Sequence, residues 1–258
     1  MKRFAGIGLL LLFGLAVCLL LRKPIAPDRE AILSGASSAH WVGTDELGRD
    51  RAQRTAAAFA LGLTGAVVAS AVATCITIAA AFGAVFSSAA VGAVVLYLCD
   101  LCVTLPWLFL LLLVRTVLPL NMPAAASALV SFGLLAALGW PMYVRSVTAR
   151  VAALQGADWM LQARASGMGT LRMLRMHVLP HAKPILMSQF LLCVPLFLIA
   201  EANLGSLGLG VSEPLVSWGS LLGELTSTSQ LASTRWVYLP LAALVATMLC
   251  METLGAEE

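Results

Sequence analysis

The stretch RSVTARVAALQGADWMLQARASGMGTLRMLRMHVLPHAK, Arg145 to Lys183, decides how the rest of this 258-residue chain is read. It holds six of the sixteen Lys and Arg residues, one acid (Asp158), two of the three histidines and a Gly-Met-Gly break at Gly167–Gly169. On either side the chain is almost continuously apolar. With 60% hydrophobic and 11% charged residues, it departs from soluble domains, in which about a quarter of residues are charged. Runs of about 20 apolar residues are long enough to cross about 30 Å of hydrocarbon as helix. At that depth no water satisfies the backbone, so spans are helices or closed barrels. The runs are continuous rather than alternating, which selects helices. The expected fold is an all-α membrane protein of six transmembrane helices in one domain. A basic, helix-forming loop between its spans is expected to touch something.

The expected spans are Phe4–Leu21, Thr55–Phe86, Val91–Leu118, Ala124–Val144, Pro184–Gly208 and Trp236–Leu254. The first is longer than the apolar region of a signal peptide and closes on Leu21-Arg22-Lys23-Pro24 without a small-residue cleavage site, so it is read as a retained span. Residues 1–54 are then a first helix with a polar segment after it. Residues 55–254 form a five-helix core that carries the 145–183 loop. Pro106 lies inside the third run and Gly139-Trp-Pro141 interrupts the fourth. An even number of spans puts both termini on one side. The positive-inside rule hardly separates the sides, with eight Lys and Arg on the side of the termini and the loop and seven on the other.

Ionisable residues at membrane depth are functional candidates. Asp100 and Glu201 are read either as facing a polar pathway or as helix-to-helix polar contacts. Arg115, near the end of its run, is expected to snorkel to the interface. Thr64, Ser70, Thr74 and Thr77 put small polar faces on the second run, through either a pathway or close helix packing. Cys99 and Cys102 sit in an apolar run and read as small buried hydrophobes. His177 and His181 have the i,i+4 spacing of a helical metal pair, but Pro180 is expected to end the helix between them and no third ligand is near. No metal site is expected. A GxxxxGK[ST] phosphate loop and a nucleophile elbow are both lacking. The chain therefore shows no catalytic residue, and any ATP that drives it would be bound by a separate subunit.

Local signals give the loop internal parts. Asp158 is placed to cap a short helix reaching about Ser166, with its acid at the positive end. Gly167 and Gly169 break that helix, because a side chain at Gly167 would obstruct either the turn or the close approach of another backbone. Thr170 is placed to cap a second helix with Leu171, Leu174 and Val178 on one face and Arg172 and Arg175 on another. Ahead of the second run, Gly43-Thr-Asp-Glu-Leu-Gly-Arg-Asp50 has the composition of a tight turn around Gly48 that caps a helix. Arg49 is expected to lock it by pairing with Asp45 or Asp50.

Four blocks in order resemble one family. Ala157-Asp-Trp-Met-Leu-Gln-Ala-Arg-Ala-Ser-Gly-Met-Gly169 followed by His177-Val-Leu-Pro180 is similar to the EAA loop of ABC-importer permeases, with Ala163, Arg164, Ala165, Gly167, Leu179 and Pro180 on its positions. Gly43, Thr44, Asp45, Gly48, Arg49 and Asp50 resemble the signature before the second span in the dipeptide/oligopeptide/nickel branch, in its C-type subunit. Asp100-Leu-Cys-Val-Thr-Leu-Pro106 and Ser206-Leu-Gly-Leu-Gly-Val-Ser-Glu-Pro-Leu-Val-Ser-Trp-Gly219 agree. The resemblance covers about residues 40–255.

The resemblance implies a type I ABC importer transmembrane fold in a prokaryotic inner membrane, with the termini and the 145–183 loop in the cytoplasm and residues 22–54 outside. It implies a heterodimer with a B-type permease, two ATPase subunits that carry ATP and Mg, and an extracytoplasmic binding protein, which Glu213 and Trp218 of the last outer loop are candidates to meet. The chain itself would bind no cofactor and no nucleic acid. The implied substrates are short peptides, with nickel or a metal chelate as the alternative. Asp158, Leu161, Gln162, Ala163, Arg164, Ala165 and Gly167 would form the ATPase-coupling segment, inserted into a groove on an ATPase; an amphipathic loop lying on anionic membrane lipid is the other reading. The chain departs from the pattern in two places. Leu161 stands where the family has the glutamate that names the loop, so a carboxylate able to meet a basic residue of the ATPase is missing. The charged C-terminal tail is reduced to Glu252-Thr-Leu-Gly255-Ala-Glu-Glu258.

Overall fold

A computed structural model describes residues 2–22, 27–117, 119, 122–226 and 235–255. The Lys23-Pro24 end of the first run, Leu118, two residues of the Pro119–Pro123 turn and the last three residues of the chain fall outside them. The described residues form helices: α1 (Lys2–Arg22), α2 (Arg51–Phe86), α3 (Ala89–Thr104), α4 (Trp107–Val117), α5 (Ala124–Gly139), α6 (Pro141–Leu154), α7 (Asp158–Ala165), α8 (Thr170–Met173), α9 (Leu179–Ser206), α10 (Trp218–Gly223) and α11 (Leu239–Gly255). Three stretches are individually long and apolar enough to cross a membrane, namely α2, the run Thr170–Ser206 and Trp236–Leu254, and the total is five if each of two bent pairs counts as one span.

The bends follow from proline. The third run is not one rod: α3 and α4 meet at 89°. Pro106 has no N–H to continue the ladder, and Leu105 before it is extended at φ −84°, ψ 137°, as the residue preceding a proline prefers. Pro141 starts α6 where a missing N–H costs nothing, and the α5–α6 pair bends by 43°. Thr77 of α2 occupies that bend. Its hydroxyl reaches the Trp140 carbonyl at 3.2 Å and accepts from Gln189 Nε2 of α9 at 2.9 Å, so one hydroxyl ties three elements together.

Pro180 does not end a helix. It lies in the first turn of α9, in one helical path that runs from Thr170 to Ser206. The missing N–H of Pro180 is accommodated by a π turn at Leu174–Val178, where the Leu179 amide bonds back to the Leu174 carbonyl. Such one-turn widenings are how helices absorb a break in the ladder.

At 36 residues, α2 is about 54 Å long at 1.5 Å per residue. That exceeds the hydrocarbon thickness by about 24 Å. The two ends of the rod therefore serve two separate cores. The larger core joins α2 to α5, α9, α10 and α11 around Phe59, Leu63, Leu135, Phe197, Leu198 and Trp218. The smaller joins the far end of α2 to α6 and the 145–183 loop, with Ala81, Val147, Val151, Met160, Met173 and Val178 buried together. The loop is thus folded on apolar side chains of its own.

Trp218 is fully buried and meets Phe59 edge-on with centroids 6.3 Å apart, so it is not available to a binding protein. Truncating such an aromatic costs about 3–5 kcal/mol through lost transfer and cavity terms. Trp218→Ala should therefore lower the thermal unfolding midpoint of the detergent-purified protein well below that of an exposed control such as Trp236→Ala. Equal midpoints would contradict the packing described.

Candidate coupling loop and outer cap

Within the loop, α7 begins one residue earlier than Asp158 as its cap would place it. Ala157 is the N-cap and makes no side-chain cap bond. Asp158 is the first helical residue, where its charge still favours the N-terminus. Met160 and Ala163 are buried, and they point α7 at the small core. The opposite stripe, Asp158, Leu161, Gln162 and Ala165, is exposed at the i, i+3, i+4, i+7 spacing of one helix face. Leu161, at the position where the resemblance expects a carboxylate, is 53% exposed. Arg164 folds away from this stripe, with its guanidinium 5.8 Å from the Phe86 ring centroid at the end of α2. Of the three residues expected on one face, Val178 is buried and Leu174 half-buried, while Leu171 lies at the surface and Met173 is buried instead.

Gly167 has φ +73°, in the left-handed region that glycine alone enters at no cost. A Cβ built there meets no atom within 4 Å, so within this chain the turn requires the glycine and packing does not. The helix after it starts at Thr170, with Gly169 as its N-cap. Leu179 is half-buried and Pro180 exposed at the start of α9. His177 and His181 stack on Trp159, with centroids at 5.6 and 4.4 Å and planes within 23° and 16° of parallel. His181 Nδ1 lies 2.7 Å from the His177 carbonyl. This stack, which joins α7 to α9, is a contact that spacing alone did not reveal.

The Gly43–Asp50 block sits at the opposite end of α2. Asp50 caps α2, accepting from the Gln53 amide at 3.0 Å, and Gly48 turns at φ +74° where a Cβ would collide with the Asp28 carbonyl. Thr44 faces Asp50 in an isolated antiparallel bridge. Asp45 is 1% exposed. Its Oδ1 accepts from the Leu47 and Arg49 amides at 2.9 and 2.8 Å; its Oδ2 takes Arg49 Nε at 2.8 Å and Arg54 Nη1 at 2.7 Å. Burial opposes ionisation of Asp45. The Arg49 amide and guanidinium, with Arg54, outweigh it and hold the carboxyl below its ordinary value of 3.8. The network extends beyond the block: Arg49 pairs with Glu213 at 2.9 Å and Arg54 with Glu224. Both acids come from the stretch after α9, more than 150 residues along the chain, and no local pattern announced them.

The remaining charges separate. Asp100 of α3 pairs with Arg145 of α6, with Arg145 Nε 2.6 Å from its carboxylate and both side chains partly exposed. Glu201 is fully buried. Its oxygens face Ser217 and the backbone of Trp218 and Gly219 at the start of α10, without a hydrogen bond of ordinary geometry. Arg115 does not snorkel. It is 1% exposed and donates to the Leu209 carbonyl at 2.6 Å, the Gly210 carbonyl at 3.3 Å and Ser127 Oγ at 3.2 Å, clamping the chain after α9 onto α4 and α5. Ser70 and Thr77 are buried, Thr74 is half-buried and Thr64 is exposed.

Comparison with known proteins bears on these features. A family model described as "Binding-protein-dependent transport system inner membrane component" matches residues 73–254. A putative peptide permease protein of Brucella suis is 31% identical over 234 residues, covering 90% of this chain and 76% of the relative. A dipeptide transport system permease protein of Bacillus subtilis is 27% identical over 257 residues, covering 97% and 78%. An oligopeptide transport system permease protein of Mycobacterium bovis is 29% identical over 257 residues, covering 96% and 84%.

Proposed function

This chain belongs to the family of binding-protein-dependent transport system inner membrane components, and from that we propose that it is one transmembrane half of an ATP-driven importer of short peptides. It is a multi-pass membrane protein of a transporter family rather than an enzyme in its own right. In our reading α1 completes six spans, and both termini and the 145–183 loop lie in the cytoplasm. A B-type permease forms the other half of the pathway. Two ATPase subunits bind ATP and Mg, one of them docks on the loop, and an extracytoplasmic binding protein delivers substrate near the Asp45–Arg49–Glu213 cap.

The observation that carries the docking part is the outward stripe of α7. Asp158, Leu161, Gln162 and Ala165 are presented together while Met160 and Ala163 root the helix in the core shared with α2, α6 and α9. A push on that stripe is transmitted to these three helices as one body. Leu161 and Leu171, 53% and 62% exposed, are apolar side chains that a partner would cover. At Leu161 the contact is apolar rather than ionic, and Asp158 supplies the one carboxylate of the stripe. The substrate part rests on the relatives, which are named for peptides, dipeptides and oligopeptides; none of those three is named for nickel.

The test is reconstitution with co-expressed partner subunits in proteoliposomes. Di- to oligopeptides, presented with the binding protein, are expected to stimulate ATP hydrolysis and to accumulate, while nickel chelates leave hydrolysis at its basal rate. Stimulation by nickel chelates but not by peptides would overturn the substrate class. Failure of any ATPase subunit to co-purify would overturn the reading as a whole.

A further inference from the structure

On the loop side of the molecule, α2 and the first turns of α9 leave an open groove of about 610 Å³. Ala71, Cys75, Leu179, Pro180, Leu186, Met187 and Phe190 make its walls apolar, and Arg175 and Lys183, about 12 Å apart along the helical path, line its loop-side half. Thr74 is the polar side chain of the apolar part, and its hydroxyl is already committed to the Ser70 carbonyl at 2.8 Å. No acidic residue lines the groove. Arg175 and Lys183 are both exposed, and neither takes part in an ion pair among the described residues. From Lys183 to Phe190 the wall rises about 10 Å along α9. Two cations without an ion-pair partner among the described residues therefore line the loop-side half of an apolar groove, one in the π turn and one in the first turns of α9.

A polypeptide in this channel would find almost no hydrogen-bonding group on the walls, whereas an acyl chain needs none. Two long cationic side chains that line one groove from positions about 12 Å apart can reach toward a phosphate between them, the guanidinium as a fork and the ammonium as a point charge. Basic pockets between membrane helices bind lipid headgroups for this reason. We propose that the groove is a binding site for one anionic phospholipid, with its phosphate between Arg175 and Lys183 and an acyl chain along Ala71, Cys75, Met187 and Phe190. The site depends on the chain spanning a membrane and not on the substrate carried.

The test uses the full-length chain with its co-expressed partner subunits, purified in mild detergent and titrated with phosphatidylglycerol or phosphatidylcholine by native mass spectrometry. Phosphatidylglycerol is expected to bind selectively, and the paired change Arg175→Gln with Lys183→Gln to weaken it about 30-fold. Ala71→Trp, which fills the channel and keeps both charges, should also abolish binding. The paired control Arg150→Gln with Arg172→Gln removes the same charge from exposed positions on the same loop and should leave binding within about twofold, since separate surface charges are largely screened. Inorganic phosphate alone should not displace the lipid. Equal binding of the two lipids, equal loss in the control pair, or displacement by free phosphate would each overturn the proposal. So would cross-linking of the native Cys75 thiol to the second permease, which would make the groove a subunit interface. Lipid retention is read without transport, so its failure leaves the permease reading intact.

Discussion

Gly167→Trp is expected to leave the protein inserted in the membrane and its partner ATPases turning over, yet to lower peptide uptake by at least about tenfold, the effect of ~1.4 kcal/mol lost from the docking contact. The geometry separates two reasons for the glycine. Its φ of +73° is a demand of the turn, and an L side chain in the left-handed region costs roughly 1–2 kcal/mol. Bulk is a different matter, since nothing in this chain lies within 4 Å of an added Cβ. A steric demand at Gly167 must therefore come from another subunit. Gly167→Asn distinguishes the two, because Asn tolerates left-handed backbone and is small. If the turn alone matters, Asn transports nearly as well as Gly, Val is impaired through strain, and Trp is impaired no more than Val. If an ATPase closes on the turn, Trp is the worst of the three, and hydrolysis continues without uptake. Normal uptake by Gly167→Trp would remove α7 from the coupling path.

Asp45→Asn is expected to destabilise the protein by about 3–5 kcal/mol, the penalty for leaving one partner of a buried charge pair unmatched. Arg54 is 2% exposed, and without Asp45 it keeps Glu224 as its ion-pair partner. The paired change Asp45→Asn with Arg54→Met removes the buried guanidinium, for which Glu224 alone does not replace Asp45, leaves the partly exposed Glu224 unpaired from Arg54, and should recover a measurable part of the loss. Unfolding in detergent, followed by intrinsic fluorescence, reads both. The pH response has a definite sign. Because the folded-state carboxyl lies below its ordinary 3.8, its contribution is complete above that value and disappears as pH falls through the lower, folded one. Wild type should therefore lose stability in acid below about pH 4 more steeply than Asp45→Asn. Equal acid sensitivity of the two would show that the Asp45 network is not the titrating element.

Local chemistry made the two ends of α2 legible. Asp50 as a cap, Gly48 as a turn and Arg49 on Asp45 were readable because the partners lie within a few residues of one another. Gly167 and the short helix before it were readable for the same reason. What the sequence hid were partners far along the chain. Glu213 and Glu224 closing on Arg49 and Arg54, and Asp100 on Arg145, join residues whose separation carries no periodic signal. Arg115 looked like a snorkelling side chain because hydropathy places a residue by depth. Its burial came from the carbonyls of Leu209 and Gly210, groups that every sequence contains and none advertises. Pro180 misled in the opposite direction. Read one residue at a time it stops a helix, but at the start of α9 its missing N–H costs little and the chain widens into a π turn instead.

The uninterrupted length of α2 has a mechanical consequence. It has no proline, unlike α9, which carries Pro184 and Pro195 within it, so it acts as a stiff shaft with one end fixed in the Asp45 cap and the other in the core beneath α7. A tilt imposed at the loop end must appear at the cap end with reversed sign, about whatever point the Thr77–Gln189–Trp140 contact pins. The two surfaces of the membrane then behave as the two arms of one lever, with that polar contact near its fulcrum.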